Sequence, residues 1–218
     1  MSTTTQDSLR TRETLLSRLR NLDDQESWRD FFDLYWRLLY NVARRAGLED
    51  TDAQDVVQET VIAVARRMPG FHYDSRRGSF KQWLLRITQR RIADHLRRVY
   101  RCPPTAELTP EVLELDAQAR GGTEPYGAAF EDVWQQEWEQ AMFDAAVAQV
   151  RQKANPKHFQ IFDYCVLKGW PTSKVAATLG LNAAQVYLAR HRVSQAVKLT
   201  ARQLSEMHSG SCSAEQSS

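Results

Sequence analysis

Along most of this chain, apolar residues recur at spacings of three and four, and alternating runs of β-branched residues are missing. That periodicity predicts helices and gives strands little support. From Ser27 to Ala46 the apolar positions are Trp28, Phe31, Phe32, Tyr35, Leu38, Leu39 and Val42, with Ser27 as the expected N-cap and Gly47 as the expected stop. A second helix is expected from about Asp52 to Met68, ending at Pro69-Gly70, and a third from Phe80 to Arg101, ending at Pro103-Pro104. A second helical block starts near Glu131. It holds a long helix to about Lys153, another from Pro156 to Lys168, and two shorter ones over Thr172–Leu179 and Asn182–Leu204.

Between the blocks the character changes. Residues 102–130 hold Pro103, Pro104, Pro110, Gly121, Gly122, Pro125 and Gly127, which predicts a flexible linker. From Glu107 to Asp144 there are ten acids and one base, Arg120. Residues 1–10 and 206–218 are rich in Ser, Thr and Gln and are expected to be disordered tails, because neither can bury enough apolar surface to offset its ordering entropy. The expected fold class is all-α: two small helical domains, residues 11–101 and 131–205, joined by that linker.

Composition narrows the function. The 218 residues carry 29 basic and 27 acidic side chains, so the net charge of +2 hides strong local imbalance. The three cysteines, Cys102, Cys165 and Cys212, are scattered and odd in number, with no zinc spacing, which suits a reduced, cytoplasmic protein. The N-terminus has no apolar core of a signal peptide, and no apolar run approaches the ~18 residues that span a bilayer. A P-loop, facing carboxylate clusters, a metal ligand set and a Ser/His/Asp arrangement are all missing, so neither an enzyme nor a cofactor is expected.

The third helix carries the first candidate chemistry. At 100° per residue, Arg86, Arg90, Arg97 and Arg101 fall within about 60° of one another, with Trp83 at the edge of the stripe. Leu84, Thr88, Ile92, Leu96 and Val99 form the opposite, apolar side. Aligned guanidinium groups repel one another unless an anion is near, and a phosphate backbone supplies one. A solvated face with salt bridges to acidic neighbours is the alternative. Just before this helix, Phe71, His72, Tyr73, Arg76, Arg77 and Phe80 interleave rings with bases. That composition suits either a single-strand stacking site or a loop whose rings plug the core.

Residues 172–193 read TSKVAATLGLNAAQVYLARHRV, with Thr172 and Asn182 as expected caps, Gly180 as the turn and Leu181 as a plug. Val175, Ala176 and Leu179, then Val186, Ala189, Val193 and Val197, form the inner faces. These offsets suit a helix-turn-helix. Its second helix would present Ala184, Tyr187, Leu188 and His191 to base edges, with Leu188 against a thymine methyl, while Arg190, Arg192 and Lys198 reach phosphates. A plain packed helical hairpin fits the same pattern. At the front of the second helix, Leu48 to Thr60 carries five acids and no base. Asp55 and Glu59 are like charges four apart, which suits either a solvated face or a basic partner.

Together these segments resemble the extracytoplasmic-function group of the sigma-70 family. The residues that carry the resemblance are Asp52-Ala53-Gln54-Asp55-Val56-Val57-Gln58-Glu59, Phe80-Lys81-Gln82-Trp83-Leu84-Leu85-Arg86-Ile87 and Asp94-His95-Leu96-Arg97-Arg98. In the second block they are Val175-Ala176, Leu179-Gly180, Val186 and His191-Arg192. Departures are Thr88 and Arg90 where the group usually has Ala and Asn, and Tyr187-Leu188-Ala189 where Lys-Ser-Arg is often seen.

The resemblance implies a sigma factor that recruits core RNA polymerase to −35 and −10 promoter elements and promotes DNA melting. Asp52, Asp55, Gln58 and Glu59 would bind the clamp helices of the largest polymerase subunit. Phe71, His72, Tyr73, Arg76, Arg77, Trp83, Arg86, Arg90, Arg97 and Arg98 would hold the −10 element. Thr172, Lys174, Ala184, Tyr187, Leu188, Arg190, His191, Arg192 and Lys198 would hold the −35 element. The implied partners are core polymerase, including the flap of its second-largest subunit, promoter DNA, and an anti-sigma factor. The competing expectation is a helix-turn-helix regulator that binds duplex DNA without polymerase.

Overall fold

The computed structural model describes residues 15–70, 79–101 and 127–209. The fold is all-α, and no strand occurs among the described residues. It divides into two compact units, one holding the chain up to Ala141 and the other Met142–Glu206.

In the first unit, helix α1 covers Gln25–Arg45. Its N-cap is Asp24, not Ser27: the Asp24 carboxylate accepts from the Ser27 backbone N–H at 3.1 Å and from the Ser27 hydroxyl at 2.9 Å. Ser27 therefore lies inside the first turn and is buried. Arg18 Nε donates to the same carboxylate at 2.9 Å. Together, Arg18 first and the Ser27 N–H second, these bonds hold Asp24 at about 2. The helix stops where expected, because Gly47 adopts φ +90°, a left-handed conformation that side chains rarely tolerate.

Helix α2 spans Asp50–Arg67, starting two residues before the expected Asp52, with Asp50 and Asp52 in its first turn. Acids there match the helix dipole, so the helix starts as soon as they allow. A 3₁₀ turn over Met68–Gly70 follows. Helix α3 is Phe80–Arg101, as the periodicity predicts. Ser79 Oγ accepts from the Gln82 backbone N–H at 3.2 Å and satisfies one of its orphan donors.

The core of this unit forms where α1, α2 and α3 bring their apolar stripes together. Phe31, Tyr35, Leu38, Leu39 and Val42 meet Ala53, Val56 and Val64, and Phe80, Leu84, Thr88 and Ile92. Thr88 satisfies its hydroxyl by donating to the Leu84 carbonyl at 2.9 Å. Two expected apolar positions are not core: Phe32 and Val99 are 44% and 46% exposed. Phe32 instead stacks on the half-exposed Trp36 along the outside of α1.

Helix α4, Ala128–Lys153, begins three residues before the expected Glu131, inside the segment assigned to the linker. Its buried apolar residues fall every four positions: Phe130, Trp134, Trp138, Met142, Ala146 and Val150. A spacing of four advances the row by about 40° per step, so five steps turn it by about 200° around the helix. The division between the units accordingly falls inside this helix, after Ala141. The part before it packs on α1. Trp138 stacks on Tyr35 with centroids 5.7 Å apart, and the buried Glu137 meets Arg45 Nη2 at 3.2 Å and Asn41 Nδ2 at 2.8 Å.

In the second unit, helix α5 runs Pro156–Phe162, capped by Asn155, which accepts from Lys157 and His158. The single helix expected to Lys168 changes at Asp163 into a π-helical turn, Asp163–Leu167. Helix α6 is Thr172–Leu179. Its N-cap residue is Pro171 with no side-chain bond, so Thr172 is the first helical residue and not the expected cap. Gly180 ends it at φ +64°. Helix α7, Ala183–Ser209, continues past the expected Leu204 into the segment assigned to the C-terminal tail.

Candidate nucleic-acid interface

Helix α3 presents Arg86, Arg90 and Arg97 on the side away from the buried Leu84, Thr88 and Ile92. Arg86 and Arg90 are exposed and form no ion pair among the described residues. Further along α3 the arginines have acidic company. Arg97 Nη1 donates to Asp94 Oδ1 at 2.9 Å, and Arg91 Nη1 lies 3.5 Å from Asp94 Oδ2. Arg98 Nη2 donates to Glu59 Oε1 at 2.6 Å, which raises the Arg98 guanidinium above its ordinary value. Within the stripe, Arg86 and Arg90 are therefore uncompensated among the described residues, whereas Arg97 is paired; Arg91 and Arg98, beside the stripe, are paired as well. Arg101 continues the helix, while Trp83 is half-buried against Phe80 with centroids 5.6 Å apart. The candidates Phe71, His72, Tyr73, Arg76 and Arg77 lie outside the described residues.

On α2, Asp55 and Gln58 are exposed on the side away from the buried residues, and Asp52 and Glu59 are half-exposed at the edge of the buried face. Asp52 Oδ1 lies 3.3 Å from Nε2 of the buried His95 on α3. Of these four, Glu59 is ion-paired to α3 and Asp52 lies beside His95, while Asp55 and Gln58 face solvent.

In the second unit, α6 and α7 meet through Val175, Val186 and Ala189, which pack with Ile161, and Leu181 fills the turn between them. Asn182 caps α7 as expected. Its Oδ1 accepts from the Gln185 backbone N–H at 2.8 Å, and the Gln185 side chain accepts from the Asn182 N–H at 3.0 Å. This reciprocal pair fixes the start of α7 and hence the direction of its outer residues. Ala184, Tyr187, Leu188, His191, Arg192 and Lys198 are all exposed, and Arg190 is half-buried. Tyr187 and His191 stack with centroids 6.1 Å apart, and Arg190 lies over the Tyr187 ring at 5.5 Å. Thr172 is half-buried at the start of α6, and Lys174 lies 3.9 Å over the Trp170 ring. Trp170 in turn stacks on Tyr164 at 4.7 Å.

No described helix is long and apolar enough to cross a membrane. Residues 31–102, which take in most of α1 and the whole of α2 and α3, match the family model described as Sigma-70 region 2. This part of the chain is thus similar to sigma-70 region 2, and the match supports the sigma-70 family.

Proposed function

We propose that this protein is a sigma factor of the extracytoplasmic-function type, working in the cytoplasm. The α2 side chains Asp52, Asp55, Gln58 and Glu59 dock on the clamp helices of core polymerase. Helix α3, with Trp83, Arg86, Arg90, Arg97 and Arg98, and the preceding residues 71–77 hold the −10 element. Helices α6 and α7 act as a helix-turn-helix on the −35 element, with Tyr187, Leu188 and His191 at base edges and Thr172, Lys174, Arg190, Arg192 and Lys198 toward phosphates. An anti-sigma factor and the flap of the second-largest subunit are further partners of this reading.

The observation that carries the proposal is the front of α3. Arg86 and Arg90 are exposed, have no acidic partner among the described residues, and belong to the segment that matches sigma-70 region 2. Uncompensated guanidinium groups on a helix whose back is buried are positioned for phosphates. Promoter opening then depends on trapping an unstacked base, since unstacking costs a few kcal/mol that a binding site must offset.

Run-off transcription on a promoter library, with purified protein and core polymerase, tests it. Transcripts should require both components, and a gel shift should appear only when core polymerase is added. A strong shift with the protein alone, together with no transcripts, would favour a polymerase-independent regulator.

A further inference from the structure

Aromatic rings from three helices form an unbroken chain through the first unit. Between centroids, Trp134 and Trp138 of α4 lie 6.1 Å apart, Trp138 and Tyr35 of α1 5.7 Å, Tyr35 and Phe80 of α3 5.8 Å, and Phe80 and Trp83 5.6 Å. Trp134, Trp138, Tyr35 and Phe80 are buried, and Trp83 at the end of the chain is half-buried. A buried row of rings is ordinary core, but two further contacts ask for more than packing. The first is Glu137, beside Trp138, whose buried carboxylate pairs with Arg45 and accepts from Asn41. Burying a carboxylate costs desolvation that its partner offsets only in part, so core packing alone does not call for one. What the bonds supply is direction: they fix the rotation of α4 next to Trp138. The second is Lys81, in the first turn of α3 and two residues before Trp83. Its Nζ donates to Gln135 Oε1 of α4 and lies 5.6 Å from the centroid of the Trp138 ring. Burial there lowers the Lys81 ammonium below its ordinary value. The segment that matches sigma-70 region 2 ends at residue 102 and α4 starts at Ala128, so this brace comes from outside the matched residues.

We propose that the front of α4 positions Trp83 for the −10 element, with Trp138 and Glu137 as positioning residues that act through Tyr35, Phe80 and Lys81. The inference rests on the reading of Trp83 as a ring that meets promoter bases, and adds what holds that ring in place. A base pulled out of its stack is repaid by an aromatic platform only where the platform already stands in position. Such a side chain is held by neighbours whose own rotamers are locked by packing. Trp83 leans on Phe80, Phe80 on Tyr35, and Tyr35 on Trp138. Closely packed rings have little room to yield, so a change at Trp138 is passed along the row. Lys81 gives α4 a direct hold on the same turn of α3.

The test uses the full-length protein with core polymerase and reads the rate of promoter opening from 2-aminopurine placed in the −10 element. Trp83→Ala should slow opening about tenfold, the factor of one lost base–aromatic stack. Trp138→Leu should slow it about threefold, the factor of one lost ring pair, with core association and −35 binding unchanged. Trp138→Phe, which keeps a ring, should stay near wild type. The double variant Trp83→Ala/Trp138→Leu should open no more slowly than Trp83→Ala alone, because Trp138 then has nothing left to position. If the two factors multiply instead, Trp138 acts independently of Trp83 and the proposal is overturned. Opening at the wild-type rate in Trp138→Leu, with Trp83→Ala slow, overturns it too and leaves the DNA reading of Trp83 standing. If Trp83→Ala itself opens at the wild-type rate, that reading falls, and the brace with it. Should Trp138→Leu lose its melting transition, Glu137→Gln, which keeps the packing and removes the ion pair, goes through the same cycle with the same readings.

Discussion

Glu59 Oε1 and Arg98 Nη2 lie 2.6 Å apart, on different helices and 39 residues apart in sequence. One partner belongs to the surface proposed to grip polymerase, the other to the face proposed to hold promoter DNA. Their side chains are 33% and 60% exposed, so water screens the pair and it contributes little to folding. Charge reversal should therefore separate function from stability. Glu59→Lys should abolish co-elution with core polymerase and leave the melting temperature within a few degrees of wild type. Arg98→Glu should leave co-elution intact and weaken binding to a −10 fragment in the assembled holoenzyme. The swapped variant Glu59→Arg/Arg98→Glu re-forms the ion pair and should recover neither activity. Recovery of transcription by the swap would mean that the pair matters only to each other.

Asp24 makes the stability of the first unit depend on acid. Its carboxyl is held at about 2 instead of 3.8, first by the Arg18 side chain and then by the Ser27 N–H. A carboxylate whose folded value lies below its unfolded value adds stability above the unfolded value, and loses that contribution as pH falls through the folded one. The contribution of Asp24 is therefore complete above pH 3.8 and fades toward about pH 2. Melting curves followed by circular dichroism should show wild type losing more of its midpoint across that window than Asp24→Asn. Parallel curves for the two proteins would remove Asp24 from the account.

The helices were legible because their apolar periods are strong, and α3 was read to the residue. The caps were less so. Ser27 and Asp24 are both good capping residues, and only the burial of Ser27 decides between them. Thr172 looked like a cap, but the preceding Pro171 occupies that position and leaves it the first helical residue. The π-helical turn at Asp163–Leu167 has no periodic signal, since it adds one residue to a turn that still looks apolar on one side. At the candidate interface, the wheel exposed Arg86 and Arg90 and carried Asp94 three residues from Arg91 and Arg97, but it could not show Glu59, the partner of Arg98. Glu59 comes from a separate helix.

Trp138 tests how much the front of α4 contributes to the first unit. The ring is fully buried and stacks on Tyr35. Next to it, Glu137 is paired with Arg45 and accepts a hydrogen bond from Asn41. Trp138→Ala should cost about 3–5 kcal/mol, because a large cavity opens and the surroundings collapse only in part. Trp138→Phe, which keeps a ring in the same space, should cost much less. Chemical denaturation of the two variants distinguishes them. Equal midpoints would mean that α4 does not depend on this contact.

The outer face of α7 offers a test at the level of one methyl group. Asn182 and Gln185 bond reciprocally, so the start of α7 is fixed, and Asn182→Ala should destabilise the second unit by about 1 kcal/mol. One turn further on, Leu188 is 53% exposed beside the stacked Tyr187 and His191 rings. An exposed leucine at this place in the proposed recognition helix suits a thymine methyl, the one apolar feature of the major groove. Replacing each thymine of the −35 element by uracil removes that methyl and leaves the hydrogen-bonding edge intact. At the contacted position, wild-type holoenzyme should lose about 0.8 kcal/mol, close to fourfold in affinity. Leu188→Ser should bind both DNAs at the weaker level, so that the double change costs no more than either single one. If wild type and Leu188→Ser lose the same amount at every uracil, the leucine does not meet a methyl, and the reading of that position must come from its neighbours.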